Sequence, residues 1–222
     1  MKVARDFGTP QPVATMTERQ LARRQALLDA VMQLAAERGL LNIQMKSVAE
    51  RSGVALGTAY RYFASKDHLL ASALAEWHGR LVSQVLAERP ANGSLTPDEA
   101  ADRLVGVVHR GLRGFQRQPN YAALLTYVLS SHDPFASEVL TGINRGYDDI
   151  LRDILGELPE ETRLTVGFLV GSIWYNAVLS WSTGRSTLAE AFQQTENAIR
   201  MLVPAAFDAP LPRASTTAEV SA

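Results

Sequence analysis

The residues best suited to binding an outside partner lie in one short run, SGVALGTAYRYFASK, at positions 52–66. The run contains two tyrosines together with Arg61 and Lys66, and a glycine beside them is a poor helix former. Large polar side chains of this kind are poor core residues, and no acidic residue occurs in the run. We therefore expect these side chains to bind an anionic partner outside the fold.

Helical spacing divides this region into two short helices, at about 45–52 and 56–62. A three-residue turn at 53–55, which contains a glycine, joins them. Two short helices with such a turn form the helix-turn-helix unit, whose second helix lies in the major groove of DNA. In that helix Ala59 and Phe63 are four residues apart and face inward. The remaining surface is formed by Gly57, Thr58, Tyr60, Arg61 and Tyr62.

The outward residues of the second helix match the chemistry of DNA. Gly57 and Thr58 lie at its N-terminal end, where free amides and the helix dipole favour phosphate. Lys66 adds a cation at the start of the following helix, and Arg61 can bind a guanine edge or a phosphate. The alternative is a solvated helical hairpin whose tyrosines are half-buried against its neighbours.

The distribution of charge agrees with an anionic partner at one end of the chain. Residues 1–77 contain ten lysines and arginines and seven acidic residues, a balance of +3. Residues 78–222 contain twelve and sixteen, a balance of −4, and the two sum to the net charge of −1. A basic N-terminal part on an acidic remainder favours an anionic partner for that part alone.

The elements that must position the run are helices. Apolar residues recur at helical spacing, Ser65 is a good N-cap for the fourth helix, and Thr96 with Glu99 forms a capping box. Strand alternation appears nowhere convincingly, so we predict an all-α fold of about nine helices. The predicted parts are a flexible arm at 1–16, a three-helix helix-turn-helix domain at 17–64, a larger helical domain at 65–207 and a flexible tail at 208–222.

The composition argues against several chemistries. The chain has no cysteine, which excludes disulfides, thiol catalysis and cysteine-ligated metals. Its four histidines form no HxxxH or HExxH pair, and no G-x-S-x-G or phosphate-binding loop occurs. We therefore expect no enzyme activity, no metal and no cofactor. No charged and apolar leader opens the chain, so we expect a cytoplasmic protein.

One segment, 164–184, is uncharged and long enough to cross a bilayer. It includes Asn176 and several serines, threonines and glycines, which are unfavourable in a lipid-facing helix. We therefore expect a helix buried in a core or in an oligomer interface, and no membrane partner.

The stretch MKSVAERSGVALGTAYRYFASKDHLLASAL resembles the DNA-binding motif of TetR-family transcriptional regulators, with its GV…GT-Y-YF-SK core. The resemblance is specific from Leu27 to Trp77, and the remainder matches in helix layout and length. It implies a regulator that binds a palindromic double-stranded DNA operator as a homodimer. The domain at 65–207 would then serve effector binding and dimerisation.

Carried over by position, the resemblance implies a set of DNA contacts. Thr58, Tyr62 and Lys66 would hold phosphates. Leu56 stands where many relatives carry a polar base reader, so its readout would be apolar. Arg23 in the first helix would reach a phosphate or the minor groove, with ordinary surface charge as the alternative. The complete set is Arg23, Lys46, Ser47, Leu56, Gly57, Thr58, Tyr60, Arg61, Tyr62 and Lys66.

The resemblance also implies that the last two long helices form a four-helix bundle with their copies across a two-fold axis. Small residues in the uncharged segment allow close helix approach, and large apolar residues there recur at helical spacing. The alternative is that these residues fill the core of the monomer. The predicted interface consists of Leu164, Phe168, Gly171, Tyr175, Leu179, Phe192 and Ile199.

An effector pocket is the remaining implication of the resemblance. Its predicted lining is aromatic and nearly uncharged, which suits a hydrophobic or lipid-derived effector, although each residue would equally serve as plain core. The predicted lining residues are Trp77, Leu81, Phe115, Tyr121, Leu125, Trp174, Asn176 and Trp181.

The stretch GSIWYNAVLSWSTGR is also similar to actinobacterial TetR-type repressors of sterol and lipid catabolism, which implies a steroid, fatty-acyl or acyl-CoA-type inducer. We therefore interpret the sequence as that of a ligand-responsive repressor. Two alternatives stay open: a helical lipid-binding or protein-interaction module without DNA binding, and a TetR-type regulator that responds to drug-like compounds.

Overall fold

Helices account for all the regular structure that this computed structural model describes, over residues 9–87 and 95–208. The predicted all-α fold of about nine helices is confirmed, and the predicted limits of the second and third helices agree with the observed ones. Two short 3-10 helices lie at Val13–Thr15 and Leu40–Asn42. The α-helices are α1 (Glu18–Arg38), α2 (Met45–Ser52), α3 (Leu56–Tyr62), α4 (Lys66–Ala87), α5 (Pro97–Arg117), α6 (Pro119–Leu129), α7 (Pro134–Leu155), α8 (Glu160–Ser182) and α9 (Leu188–Asp208).

Helix packing divides the chain into two compact units. Unit one contains the residues before Leu81 together with Gln118–Asn144. Unit two contains Leu81–Arg117 and the residues from Arg145 onward. The helices α4 and α7 therefore contribute residues to both units. This grouping follows packing, and the functional division predicted at residues 64 and 65 stays a prediction.

The first three helices pack on one another in unit one because each buries an apolar face. Leu27, Val31 and Leu34 recur along α1 at helical spacing and are at most 2% exposed. Val48 of α2 and Phe63, which follows α3, are wholly buried. Burial of one such side chain contributes about 1.5–3 kcal/mol, so this shared core is what stabilises the short helices α2 and α3.

An ion pair at the surface joins α1 to α2. The Nη1 and Nη2 atoms of Arg51 donate to the two carboxylate oxygens of Glu37, each at 2.7 Å. The hydrogen bonds from Arg51 lower the pKa of the Glu37 carboxyl. Because both groups remain in contact with water, the pair orients α2 relative to α1 but contributes little to the stability of the fold.

The segment before α1 carries regular structure and is attached to α3. The backbone N–H of Gln11 donates to the carbonyl oxygen of Arg61 at 2.9 Å, and Gln20 Nε2 donates to Gln11 Oε1 at 3.3 Å. Within the predicted flexible arm at 1–16, Gln11 is therefore hydrogen-bonded to α3 and to α1. Residues 1–8 of that predicted arm, and all of the predicted tail but Asp208, lie outside the described residues.

In unit two, α9 packs against α5 and α8. The helix buries Ala191, Thr195, Ile199 and Val203, which recur every four residues along one face. Ile199 is 0% exposed, so its predicted place in a dimer interface is wrong. Its side chain lies on the face that fills the core of its own chain.

The helix α9 contains Pro204 in its interior and reaches Asp208. Proline removes one backbone donor from a helix. Burial of Val203 beside it, at 0% exposure, offsets part of that loss.

Among the described residues, α8 is the one helix long and apolar enough to cross a membrane by length and composition, with a mean hydropathy of 1.3. Only 22% of that apolar window is buried within the chain, so burial in the core of the chain holds for one face alone, and burial of the rest in an oligomer interface stays a prediction. Val166, Val170 and Ala177 form that buried face. The opposite face is open.

The turn between α2 and α3 depends on Gly53, whose φ of 68° lies in the left-handed region. A Cβ atom there would meet nothing within 4 Å, so the strain of an alanine would be confined to the backbone. We predict that Gly53→Ala lowers the free energy of unfolding by about 1 kcal/mol, measured by urea unfolding followed by circular dichroism.

Gly57→Ala is the matched control for that variant. A Cβ at Gly57 would also meet nothing within 4 Å, but this glycine is helical, so alanine should leave the stability unchanged or raise it. Equal losses for both variants would contradict the assignment of backbone strain to Gly53.

Candidate nucleic-acid interface

The helix α3 has seven residues, too few for a stable isolated helix. It is held by Ala59, Tyr62 and Phe63, which are 0%, 2% and 0% exposed. These positions are three and four residues apart and share one side of the chain. The prediction that Tyr62 covers the outer surface is therefore wrong. Helical spacing counted from Ala59 would have assigned its ring to the core.

The other side of α3 is open. Gly57 and Arg61 are exposed, and Thr58 and Tyr60 are half-buried, while Leu56 is 38% exposed. The guanidinium carbon of Arg61 lies 5.4 Å from the centroid of the Tyr62 ring, and its Nη2 is 3.4 Å from the Tyr62 hydroxyl. The buried tyrosine thus supports the exposed arginine from behind.

The start of α2 presents a second cation. Lys46 has a side chain that is 74% exposed, and its Nζ lies 3.9 Å from a carboxylate oxygen of Glu50. An exposed pair at that distance is worth little, so Lys46 can exchange Glu50 for another anion. Ser47 beside it is half-buried.

A third cation stands at the start of α4. Ser65 caps this helix, since its hydroxyl accepts from the backbone N–H of His68 at 2.9 Å. The Nζ of Lys66 lies 5.1 Å from the centroid of the Tyr127 ring. Asp67, the next residue, uses both carboxylate oxygens to accept hydrogen bonds from hydroxyls, one on α6 and one just beyond its end.

The arginines of α1 are held differently. The guanidinium carbon of Arg24 lies 5.1 Å from the centroid of the Phe63 ring, where burial lowers its pKa and nearby Glu76 opposes that effect. Arg24 therefore belongs to the support of α3. Arg23 is half-buried and Arg19 is exposed, which leaves both open to an outside partner.

The residues predicted to line an effector pocket are divided between the two units. In unit one, Trp77 and Tyr121 stack with ring centroids 4.9 Å apart. Leu125, also in unit one, is buried at 9% exposure. The predicted residues in unit two are Leu81, Phe115, Trp174, Asn176 and Trp181.

An aromatic cluster forms inside unit two around Trp174. Its ring centroid lies 5.6 Å from that of Phe115 and 6.3 Å from that of Tyr147. Gly111 faces the same indole, where a Cβ would lie 3.4 Å away. Burial raises the pKa of Tyr147, yet Tyr147 and Trp174 keep some accessible surface. Asn176 is exposed to solvent, so its predicted role inside a pocket is wrong.

A cleft of about 310 Å³ lies within unit one, between residues of α1, α4 and α6. Its polar groups bind one another: Gln25 Nε2 donates to Asp29 at 2.9 Å and to Glu76 at 3.0 Å, and Arg80 donates to Glu76 at 2.6 Å. Of the predicted pocket residues, Tyr121 lines this cleft. Its polar walls differ from the nearly uncharged lining predicted for the effector.

The predicted dimer residues of α8 lie on its open face. Phe168 is 73% exposed and Leu164 is 46% exposed. Gly171 is exposed, and Tyr175 and Leu179 are half-buried. On α9, Phe192 is half-buried against the His109 ring, with centroids 4.6 Å apart.

Comparison with known proteins relates this arrangement to a family. The family model for bacterial regulatory proteins of the tetR family matches residues 27–73, which include α2, α3 and the start of α4. The HTH-type transcriptional repressor KstR of Mycobacterium tuberculosis is 30% identical over 188 residues, 84% of this chain and 83% of that protein.

Two solved structures share the fold. A TetR transcriptional regulator from Rhodococcus sp. RHA1 is 32% identical with a TM-score of 0.67, covering 83% of this chain and 97% of that one. The regulator FadR from Bacillus subtilis, solved with stearoyl-CoA, is 20% identical with a TM-score of 0.63, covering 81% of this chain and 97% of that one.

These similarities extend over most of the chain and include the helices that form the candidate interface. The helix-turn-helix and the buried attachment of α3 lie within the segment that the family model matches. The chain belongs to the tetR family of bacterial regulatory proteins.

Proposed function

We propose that this TetR-family regulator is a repressor that binds a palindromic operator as a homodimer and is released by a small hydrophobic, lipid-derived effector. The observation that carries the proposal is the anchoring of α3, which buries Tyr62 and Phe63 and leaves Arg61 exposed. The protein would act in the cytoplasm, where it meets chromosomal DNA.

Contact with DNA follows from the chemistry of the open residues. In the proposed complex α3 lies in the major groove, where Arg61 reads a base edge and Thr58 binds a phosphate. Lys46 and Lys66, at the starts of α2 and α4, bind phosphates on either side of the groove. Such contacts supply affinity for any sequence, while Arg61 supplies preference among sequences.

The open face of α8 supports the homodimer. Leu164 and Phe168 are large apolar residues that keep 46% and 73% of their surface exposed in the described chain. Covering such a stripe with a second copy removes apolar surface from water at about 25 cal/mol per Å². Gly171 on the same face lets two α8 helices approach closely. A two-fold axis at this face places one helix-turn-helix from each subunit in a symmetric pair, as a palindromic operator requires.

The aromatic cluster around Trp174 supports a hydrophobic effector. Its rings are nearly uncharged, and Trp174 and Tyr147 retain accessible surface although burial raises the pKa of the Tyr147 hydroxyl. The solved FadR of the same fold binds stearoyl-CoA. We infer that the acyl chain or steroid ring system of the effector binds beside these rings. Its binding would be coupled to operator release by a free energy of about 1–3 kcal/mol.

Loss of one phosphate contact should weaken binding to all duplexes. We predict that Lys66→Ala lowers affinity equally for every sequence in a pool and reduces the slope of log K against log salt by about 1. Arg61→Ala should instead flatten the preference among sequences. Fluorescence anisotropy with labelled 30-base-pair duplexes at several salt concentrations measures both effects.

Arg145→Ala serves as the control for those variants, since it removes an exposed cation from unit two. It should leave both the affinity and the salt slope unchanged. A uniform loss from Lys66→Ala and Arg61→Ala alike would show that Arg61 binds phosphate and reads no base.

A charge on the open face of α8 should separate the subunits. We predict that Phe168→Glu converts the dimer to a monomer, because a desolvated carboxylate opposes association, and that operator affinity falls with it. Analytical ultracentrifugation measures the mass. Leu41→Glu, at a residue 79% exposed in unit one, is the matched control and should stay dimeric. A dimeric Phe168→Glu variant would place the interface elsewhere.

An acyl-CoA should release the protein from DNA. We predict that lauroyl-CoA, but not free coenzyme A, weakens operator binding about fivefold to 150-fold. Trp174→Ala should reduce this response while leaving binding of DNA alone intact, both measured by anisotropy. Release by a steroid and not by lauroyl-CoA would keep a hydrophobic effector and reject the acyl class. No release by either would count against a lipid effector.

A further inference from the structure

We propose that Tyr127 and Ser131, which are 60 and 64 residues beyond Asp67, position the phosphate-binding end of α4. They lie at the C-terminal end of α6 and in the turn after it, and both contact the first turn of α4. The inference rests on the proposed function, since it assumes that Lys66 binds phosphate. The groups involved all belong to unit one.

Tyr127 contacts two neighbouring residues of opposite charge. Its hydroxyl donates to Asp67 Oδ1 at 2.9 Å, and the face of its ring lies 5.1 Å from Lys66 Nζ. A cation over an aromatic face is attracted by the quadrupole of the ring. One tyrosine therefore orders both side chains at the start of α4.

Ser131 holds the second carboxylate oxygen of Asp67. Its hydroxyl donates to Asp67 Oδ2 at 2.5 Å and accepts from the backbone N–H of Asp133 at 3.2 Å. The Ser131 hydroxyl thus has a donor, the backbone N–H of Asp133, and an acceptor, the Asp67 carboxylate. Both oxygens of Asp67 are thus occupied by hydroxyl donors.

These hydrogen bonds reduce the unfavourable effect of Asp67 on phosphate binding by Lys66. A carboxylate next to a phosphate-binding lysine repels phosphate and competes for the ammonium group. With both oxygens of Asp67 accepting hydrogen bonds from Tyr127 and Ser131, the carboxylate has less capacity left to compete for the ammonium group of Lys66. Holding Lys66 against the ring also reduces the side-chain entropy that is lost when phosphate binds.

A double-mutant cycle on the full-length protein tests this inference, with a mixed-sequence 30-base-pair duplex at low salt as the probe. Tyr127→Leu and Ser131→Ala should each weaken duplex binding about twofold to fivefold. In a Lys66→Ala background neither change should weaken binding further, because the residue that they position is gone. Persistence of the loss in that background would show a merely structural role and overturn the inference.

Ser130→Ala is the matched control, one residue away and with the same chemical change. Its hydroxyl donates to Thr126 of its own helix at 3.0 Å, so duplex affinity should not change. If Tyr127→Leu fails to fold by circular dichroism, Tyr127→Phe, which removes only the bond to Asp67, and Ser131→Ala decide the outcome.

The remaining outcomes separate the two hypotheses. If Lys66→Ala weakens binding and the Tyr127 and Ser131 variants do not, the positioning role is wrong and the phosphate contact stands. If Lys66→Ala has no effect, the phosphate contact itself is wrong and the inference fails with it. Tighter binding by Tyr127→Leu would show that the ring competes with DNA for Lys66.

Discussion

The candidate interface depends on the burial of three side chains behind one short helix. Seven residues cannot stabilise a helix in water, so α3 exists because Ala59, Tyr62 and Phe63 are enclosed by unit one. The left-handed glycine before the helix and the Ser65 cap after it define where the chain turns. The packing of the core therefore fixes the surface that α3 presents to DNA. Binding of DNA then requires little further ordering of the α3 backbone.

Aromatic rings order three of the cationic side chains of unit one in the same way. Arg24, Arg61 and Lys66 lie over Phe63, Tyr62 and Tyr127, with distances to the ring centroids of 5.1, 5.4 and 5.1 Å. An unsupported lysine or arginine loses rotamer freedom when it binds phosphate, and a ring that already holds it reduces that cost. The packing of Arg61 and Lys66 against these rings thus also prepares both side chains for recognition of DNA.

Local signals were sufficient to predict the helix-turn-helix, because its glycine turn, its Ser65 cap and its short apolar faces all lie within neighbouring residues. Assignments of faces were less secure. Ile199 was misplaced because α9 carries apolar residues on more than one side, and the choice between them depends on tertiary packing against α8 and against α5, which is distant in sequence. The bond from Tyr127 to Asp67 joins residues sixty positions apart, and no local pattern predicts such a contact. The burial of Tyr62, in contrast, could have been predicted from the sequence, since Tyr62 lies three residues after Ala59 on the same side of the helix.

The central claim is that the open side of α3 reads duplex DNA in a homodimer. Selection of bound sequences from a pool of random duplexes tests it most directly, because enrichment requires both an intact α3 surface and a second subunit. An anchored α3 on each of two subunits predicts enrichment of an inverted repeat with half-sites about one helical turn apart. A pool that stays random after repeated rounds, although the protein is folded, would mean that the open side of α3 does not read duplex DNA.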